Sequence, residues 1–76
     1  MKQETFLYDI YGRRRIEIVC KGKMRTAYRL IGERRQIEPD FVIPDGYNEA
    51  QIRTYLDDML HEMARPGQII KLISHR

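Results

Sequence analysis

The sequence predicts an α+β domain: an antiparallel meander of three to four strands packed against one amphipathic helix, with a short C-terminal strand or docked tail. Three observations predict it. Between Asn48 and Ala64 the apolar residues Ile52, Tyr55, Leu56, Met59, Leu60 and Met63 recur at the spacing of one helix face. Between Thr5 and Ile31 the chain runs as three alternating apolar–polar segments broken at glycines. The stretch Glu38 to Gly46 carries Pro39 and Pro44, so no central strand fits there.

The strands come first. Thr5 to Tyr11 sets Phe6, Tyr8 and Ile10 on one side and Leu7, Asp9 and Tyr11 on the other; its aromatic and β-branched content favours a strand. Gly12-Arg13 or Gly12-Arg13-Arg14 makes a tight turn. Arg15 to Cys20 returns with Ile16, Ile18 and Cys20 on one face. Lys21-Gly22-Lys23 turns again, and Met24 to Ile31 follows with Thr26, Tyr28 and Leu30 on one face. Gly32-Glu33 leads into a short strand, Arg34 to Ile37. Such short links force antiparallel neighbours. Phe41 and Ile43 are expected to anchor the proline-bearing connection under the helix.

The helix has start and stop signals. Asn48 can accept from the first free amides, and Gln51, three residues on, completes a capping box. Tyr47 and Ile52 stand where a hydrophobic staple sits. Arg65-Pro66-Gly67 cannot continue the helix. Gln68 to Ile73 is apolar enough for a last strand or a docked tail, and undocked it would be a sticky edge. The expected core sets Phe6, Tyr8, Ile10, Ile16, Ile18, Tyr28 and Leu30 against Ile52, Leu56, Met59, Leu60 and Met63.

Seventy-six residues make one domain, residues 1–76. A chain this short buries only roughly 60% of the surface its unfolded form exposes. One helix face on one sheet face fills such a core, and deep enclosed pockets are not expected. Cys20 is the single cysteine, so no internal disulfide forms and a reducing cytosol suits the chain. Met1 to Thr5 has no signal-like apolar run, and no segment reaches the roughly 18 apolar residues of a membrane span. A cytoplasmic protein with no membrane contact is expected. The net charge of +3 is divided: residues 1–35 carry +6 and residues 36–76 carry −3. The split suggests a dipolar surface, which self-pairing and solubility explain more simply than a polyanion or an acidic protein at the basic end.

Several short motifs span most of the chain. They are Tyr8-Asp9-Ile10-Tyr11-Gly12-Arg13, Phe41-Val42-Ile43-Pro44, Tyr55-Leu56-Asp57-Asp58 and His61-Glu62-Met63-Ala64 with Pro66. Together they resemble a family of short bacterial proteins of unknown function. Tyr11 stands where that family often has Phe before the glycine, which leaves the turn in place. The resemblance implies a small bacterial cytosolic protein and brings no activity with it.

Chemistry-bearing groups are sparse. Asp57, Asp58, His61 and Glu62 adjoin on one helix surface, but two or three ligands from a single exposed helix make a weak metal site. A solvated face, with His61 favourable near the helix C-terminus, is the better reading. Cys20 alternates onto the buried strand face, where a cysteine is a small hydrophobe. No Gly-x-Ser-x-Gly elbow and no phosphate-cradling glycine loop occurs. The expected protein is not an enzyme and needs no cofactor.

Binding remains. Arg13, Arg14 and Arg15 sit at the first turn and Arg34 and Arg35 at the third, and in a meander these turns share one end. The sheet face away from the helix is expected to show Tyr11, Arg15, Glu17, Val19, Arg25, Ala27 and Arg29, with Glu17 pairing across to Arg25 or Arg29. The candidate binding surface is therefore Tyr11, Arg13, Arg14, Arg15, Arg25, Arg29, Arg34 and Arg35. A non-catalytic protein–protein interaction or regulatory module leads, with self-association as a homodimer one version. RNA or DNA binding by basic groups interleaved with an aromatic ring is the alternative.

Overall fold

Hairpins build the sheet. The computed structural model describes residues 3–63 and 65–76, Met63 by its backbone alone. Strands β1 (Gln3–Ile10), β2 (Arg14–Lys21), β3 (Met24–Ile31) and β4 (Arg34–Ile37) form the expected meander. The strand-or-tail question at the C-terminus resolves as a strand, β5 (Ile70–His75), which pairs antiparallel with β1. The sheet has five strands in the order β4-β3-β2-β1-β5. Thr5 and Arg76 exchange backbone hydrogen bonds of 2.8 and 2.9 Å, extending the β1–β5 ladder past His75. Its register steps between Leu7 and Tyr8, leaving Ile73 as a bulge residue on an edge strand, a device that discourages further pairing.

Helix α1 spans Glu49–Leu60 and tightens into a 3-10 turn over His61–Met63. Its start is the capping box read from the sequence: the Gln51 amide donates to Asn48 Oδ1 and the Asn48 amide to Gln51 Oε1, both at 2.9 Å. The helical period to Ala64 overshoots; α1 itself stops at Leu60, and Ala64 lies outside the described residues. Ile52, Leu56 and Leu60 are buried, while Met59, expected in the core, is 47% exposed. The Met63 side chain lies outside what is described. Phe41 and Ile43 are buried beside the helix as expected, and the Tyr55 hydroxyl accepts from the Val42 amide at 2.9 Å.

One face assignment is inverted. Tyr28 and Leu30 were expected in the core and Arg25, Ala27 and Arg29 on the open face. The β2–β3 link is a two-residue loop, Gly22-Lys23, because Lys21 pairs with Met24. Cys20 therefore faces Arg25, Ile18 faces Ala27 and Ile16 faces Arg29. Residues directly opposite share a face, so Arg25, Ala27 and Arg29 lie on the helix side and Thr26, Tyr28 and Leu30 on the other. A three-residue turn, Lys21-Gly22-Lys23, would have kept the expected faces. Gly22 has φ +55° while Lys23 stays out of that region, the φ pattern of a type II′ hairpin with glycine at its first central position.

This register is testable by charge insertion. Ala27 is only 2% exposed, so Ala27→Lys buries a cation and should cost about 3 kcal/mol or more. Tyr28→Lys, one residue on, should change stability by about 1 kcal/mol or less. Urea unfolding of both variants gives the comparison, and the reverse order would contradict the register.

Candidate functional site

The predicted surface residues do not form one patch. Tyr11 is part of the first turn, not of the open sheet face. Ile10 pairs with Arg14, so Tyr11, Gly12 and Arg13 form the loop, with the Arg13 amide donating to the Ile10 carbonyl at 3.0 Å. Tyr11 takes φ +56°, an uncommon conformation for a side chain with Cβ. Its ring packs against the core, and its hydroxyl is buried with no hydrogen-bond partner among the described residues. Burial, and then the negative charge of Asp57, push that hydroxyl above its ordinary pKa.

The arginines divide among three places. Arg25 lies at the opposite end of the sheet from the first turn. Its guanidinium donates to the carbonyls of Tyr47 (2.8 Å), Gly22 (2.8 Å) and Met24 (3.1 Å). Arg29 bonds the buried Glu38 at 2.8 Å, beside a cleft of about 400 Å³ that Arg14, Asp40, Phe41 and Met59 also line. Arg35 bonds Glu17 at 2.8 Å, so the partner of Glu17 comes from β4 and not from Arg25 or Arg29. Arg13, Arg14, Arg15 and Arg34 have no carboxylate at ion-pair distance among the described residues.

The face away from the helix has its own composition. One row across it reads Ile37, Tyr28, Glu17, Leu7 and Ser74; the next reads Arg35, Leu30, Arg15, Asp9 and Lys71. Val19 stands beyond them between Thr5 and Thr26. The Arg35 guanidinium lies 4.5 Å from the centre of the Tyr28 ring while it holds Glu17. Tyr28, not Tyr11, is the aromatic group of this face. The signal that locates it is the length of the Gly22-Lys23 loop.

A second concave site was not foreseen. A cleft of about 480 Å³ opens on the helix side of the sheet, beyond the start of α1. Glu4, Cys20 and Arg25 lie in one row across β1, β2 and β3 at its floor, and Asn48 and Glu49 form a wall. Tyr8 donates its hydroxyl to Glu49 Oε2 at 2.8 Å; burial first, and then that bond, raise the Tyr8 pKa and keep it a donor. His75 Nε2 lies 2.8 Å from Glu4 Oε2, and the imidazole stacks on Phe6 at 4.4 Å. Burial pushes the Cys20 thiol above its ordinary pKa, against a lowering from Arg25. Among the described residues no three His, Cys, Asp or Glu side chains are placed to hold a metal, and His61 Nδ1 instead lies 2.9 Å from the Asp58 carbonyl. No described helix is long and apolar enough to cross a membrane.

These features define a small α+β domain, a five-stranded antiparallel sheet with one helix on one face. The chain belongs to the family described as Domain of unknown function (DUF7661), whose model matches residues 5–73. No curated protein and no solved structure matches it.

A raised thiol pKa has a direct readout. The thiolate is the nucleophile, so Cys20 should alkylate with iodoacetamide far more slowly than free cysteine at pH 8. Its rate should keep climbing at pH values where the free amino acid has levelled off. A plateau at or below the free-cysteine range would mean an activated thiol.

Proposed function

We propose that this domain is a non-catalytic protein-binding module of a bacterial cytoplasm, and that it docks through the uncovered face of its sheet. The observation behind this reading is that α1 lies on one face of a five-stranded sheet, leaving Leu7, Tyr28, Leu30 and Ile37 on the other. Ile37 is 61% exposed there. Tyr28, Leu30 and Leu7 flank the charged Arg15 and Glu17 of the central strand, a mixed apolar and polar composition like that of many docking patches. Arg15, Arg35 and Lys71 outnumber Glu17 and Asp9 on this face, and Arg13 stands in the turn at its end. A partner surface with apolar and acidic groups complements it.

Nucleic-acid binding is the second reading. It rests on Arg13, Arg14, Arg15 and Arg34, which lack carboxylate partners among the described residues. Arg35 counts against it, because its guanidinium occupies the face of Tyr28 on which a base would stack.

A photo-reactive residue at position 28 tests both, with the same group at Asp58 on the outer side of α1 as control. The expected result in cells is one discrete protein adduct from position 28, absent from position 58, and abolished by Leu30→Asp. Cross-links to RNA or DNA, or titration shifts at Arg13–Arg15 and Arg34 that vanish as salt rises, would replace this reading with the second. An adduct that survives Leu30→Asp, or none from position 28, would overturn the docking face.

A further inference from the structure

The cleft beyond the start of α1 lies on the other side of the sheet from the docking face, and its chemistry is different. At one end stands Arg25. Its Nε and Nη1 are held by the carbonyls of Tyr47, Gly22 and Met24, and no carboxylate pairs with it among the described residues. That leaves a guanidinium held on two of its nitrogens, its Nη2 without a protein partner among the described residues. The two Nη2 hydrogens can donate to a carboxylate.

At the other end stand two carboxylates. Tyr8 engages Oε2 of Glu49 and His75 engages Oε2 of Glu4, so each acid is oriented and keeps its second oxygen. The part-buried Tyr8 bond orients Glu49 before any ligand arrives, which lowers the cost of binding. The row Glu4–Cys20–Arg25 spans two strand spacings, roughly 10 Å between the outer Cα atoms. Phe6, Leu72 and Tyr47 give the lining its apolar part. At about 480 Å³ the cleft falls within the roughly 300–1,000 Å³ range of small-molecule sites.

A simple anion would meet Glu4 and Glu49, and a simple cation would meet Arg25. A molecule carrying both charges satisfies both ends. We propose that this cleft binds a small zwitterion of the amino-acid or dipeptide class, its carboxylate on Arg25, its ammonium on Glu49 and Glu4, and an apolar side chain toward Phe6 and Leu72.

The test is an amide NMR titration of the full chain at pH 7 with the dipeptide Gly-Leu. Succinate and 1,4-diaminobutane are the single-sign controls. Saturable shifts at Cys20, Arg25, Asn48, Glu49 and Leu72 are expected with the dipeptide below about 10 mM, and weaker or no shifts with either control. Glu49→Gln keeps an acceptor for Tyr8 but removes the charge, and should weaken binding about tenfold. Arg25→Lys should do the same, since a lysine ammonium cannot keep the three carbonyl bonds and still present the Nη2 donors. If Arg25→Lys fails to fold, Glu49→Gln decides alone. Succinate or the diamine binding as well as the dipeptide, no saturable shift with the dipeptide, or full affinity in Glu49→Gln would each overturn the proposal.

Discussion

One helix cannot cover five strands, and most of the structure follows from that mismatch. Twelve residues of α1 reach about 18 Å and occupy a strip about 10 Å wide. Five strands at their usual spacing make a sheet roughly 20–24 Å across. The helix therefore sits where burial is greatest, with Ile52, Leu56 and Leu60 in one core with Tyr8, Ile10, Ile16 and Ile18. What it leaves uncovered is filled by other means. The extended connection brings Phe41 and Ile43 into the core, and Glu38 ties it to β3 through Arg29 and the Ala27 carbonyl. Beyond the helix start no described residue fills the space, and the cleft results.

The buried Glu38 shows how local these solutions are. It is 7% exposed, and an unpaired carboxylate so placed would be costly. Arg29 lies opposite Ile16 on the helix side of β3, where an aliphatic residue would ordinarily stand. The inverted face of β3 puts the guanidinium where the carboxylate needs it. Had β3 kept the other face inward, Arg29 would point away from Glu38, and Tyr28 would crowd the site that Ala27 fills. The ion pair and the hairpin register thus depend on each other.

Much of this was legible in the sequence. The helix start was readable because capping is chemistry between neighbours: Asn48 and Gln51 need only each other. The four-strand meander was readable from alternation and glycine. The faces of β3 were not, because alternation gives period but not phase. Thr26, Tyr28 and Leu30 alternate with Arg25, Ala27 and Arg29 in either register, and apolar residues weighed for the wrong one. Phase is set by the loop, and one residue of loop length reverses every side chain beyond it. Tyr11 escaped for a related reason: a turn that starts one residue early removes it from the strand, and its ring then joins the core at the cost of a left-handed backbone. The cleft residues Glu4, Glu49 and His75 were invisible, since they meet only when β5 pairs with β1 and the helix arrives above them.

The same logic explains the fate of the charge split. A basic first half and an acidic second half read as two opposed surfaces. In the folded chain, pairing works both across and within the halves. Arg29 takes Glu38 from the second half, Arg35 takes Glu17 within the first, and Arg25 is held by backbone carbonyls. Arg13 and Arg34, without a carboxylate partner among the described residues, stand at the first and third turns. Charge count therefore overstated the basic surface, and the sheet's uncovered apolar face carries more of the binding argument than its arginines do. A face crossed by an Arg35–Glu17 pair, from edge strand β4 to central strand β2, is also poorly suited to a dry, two-sheet sandwich, because those charges would have to be desolvated together. A partner that leaves that pair wet and covers Leu7 and Leu30 meets both constraints.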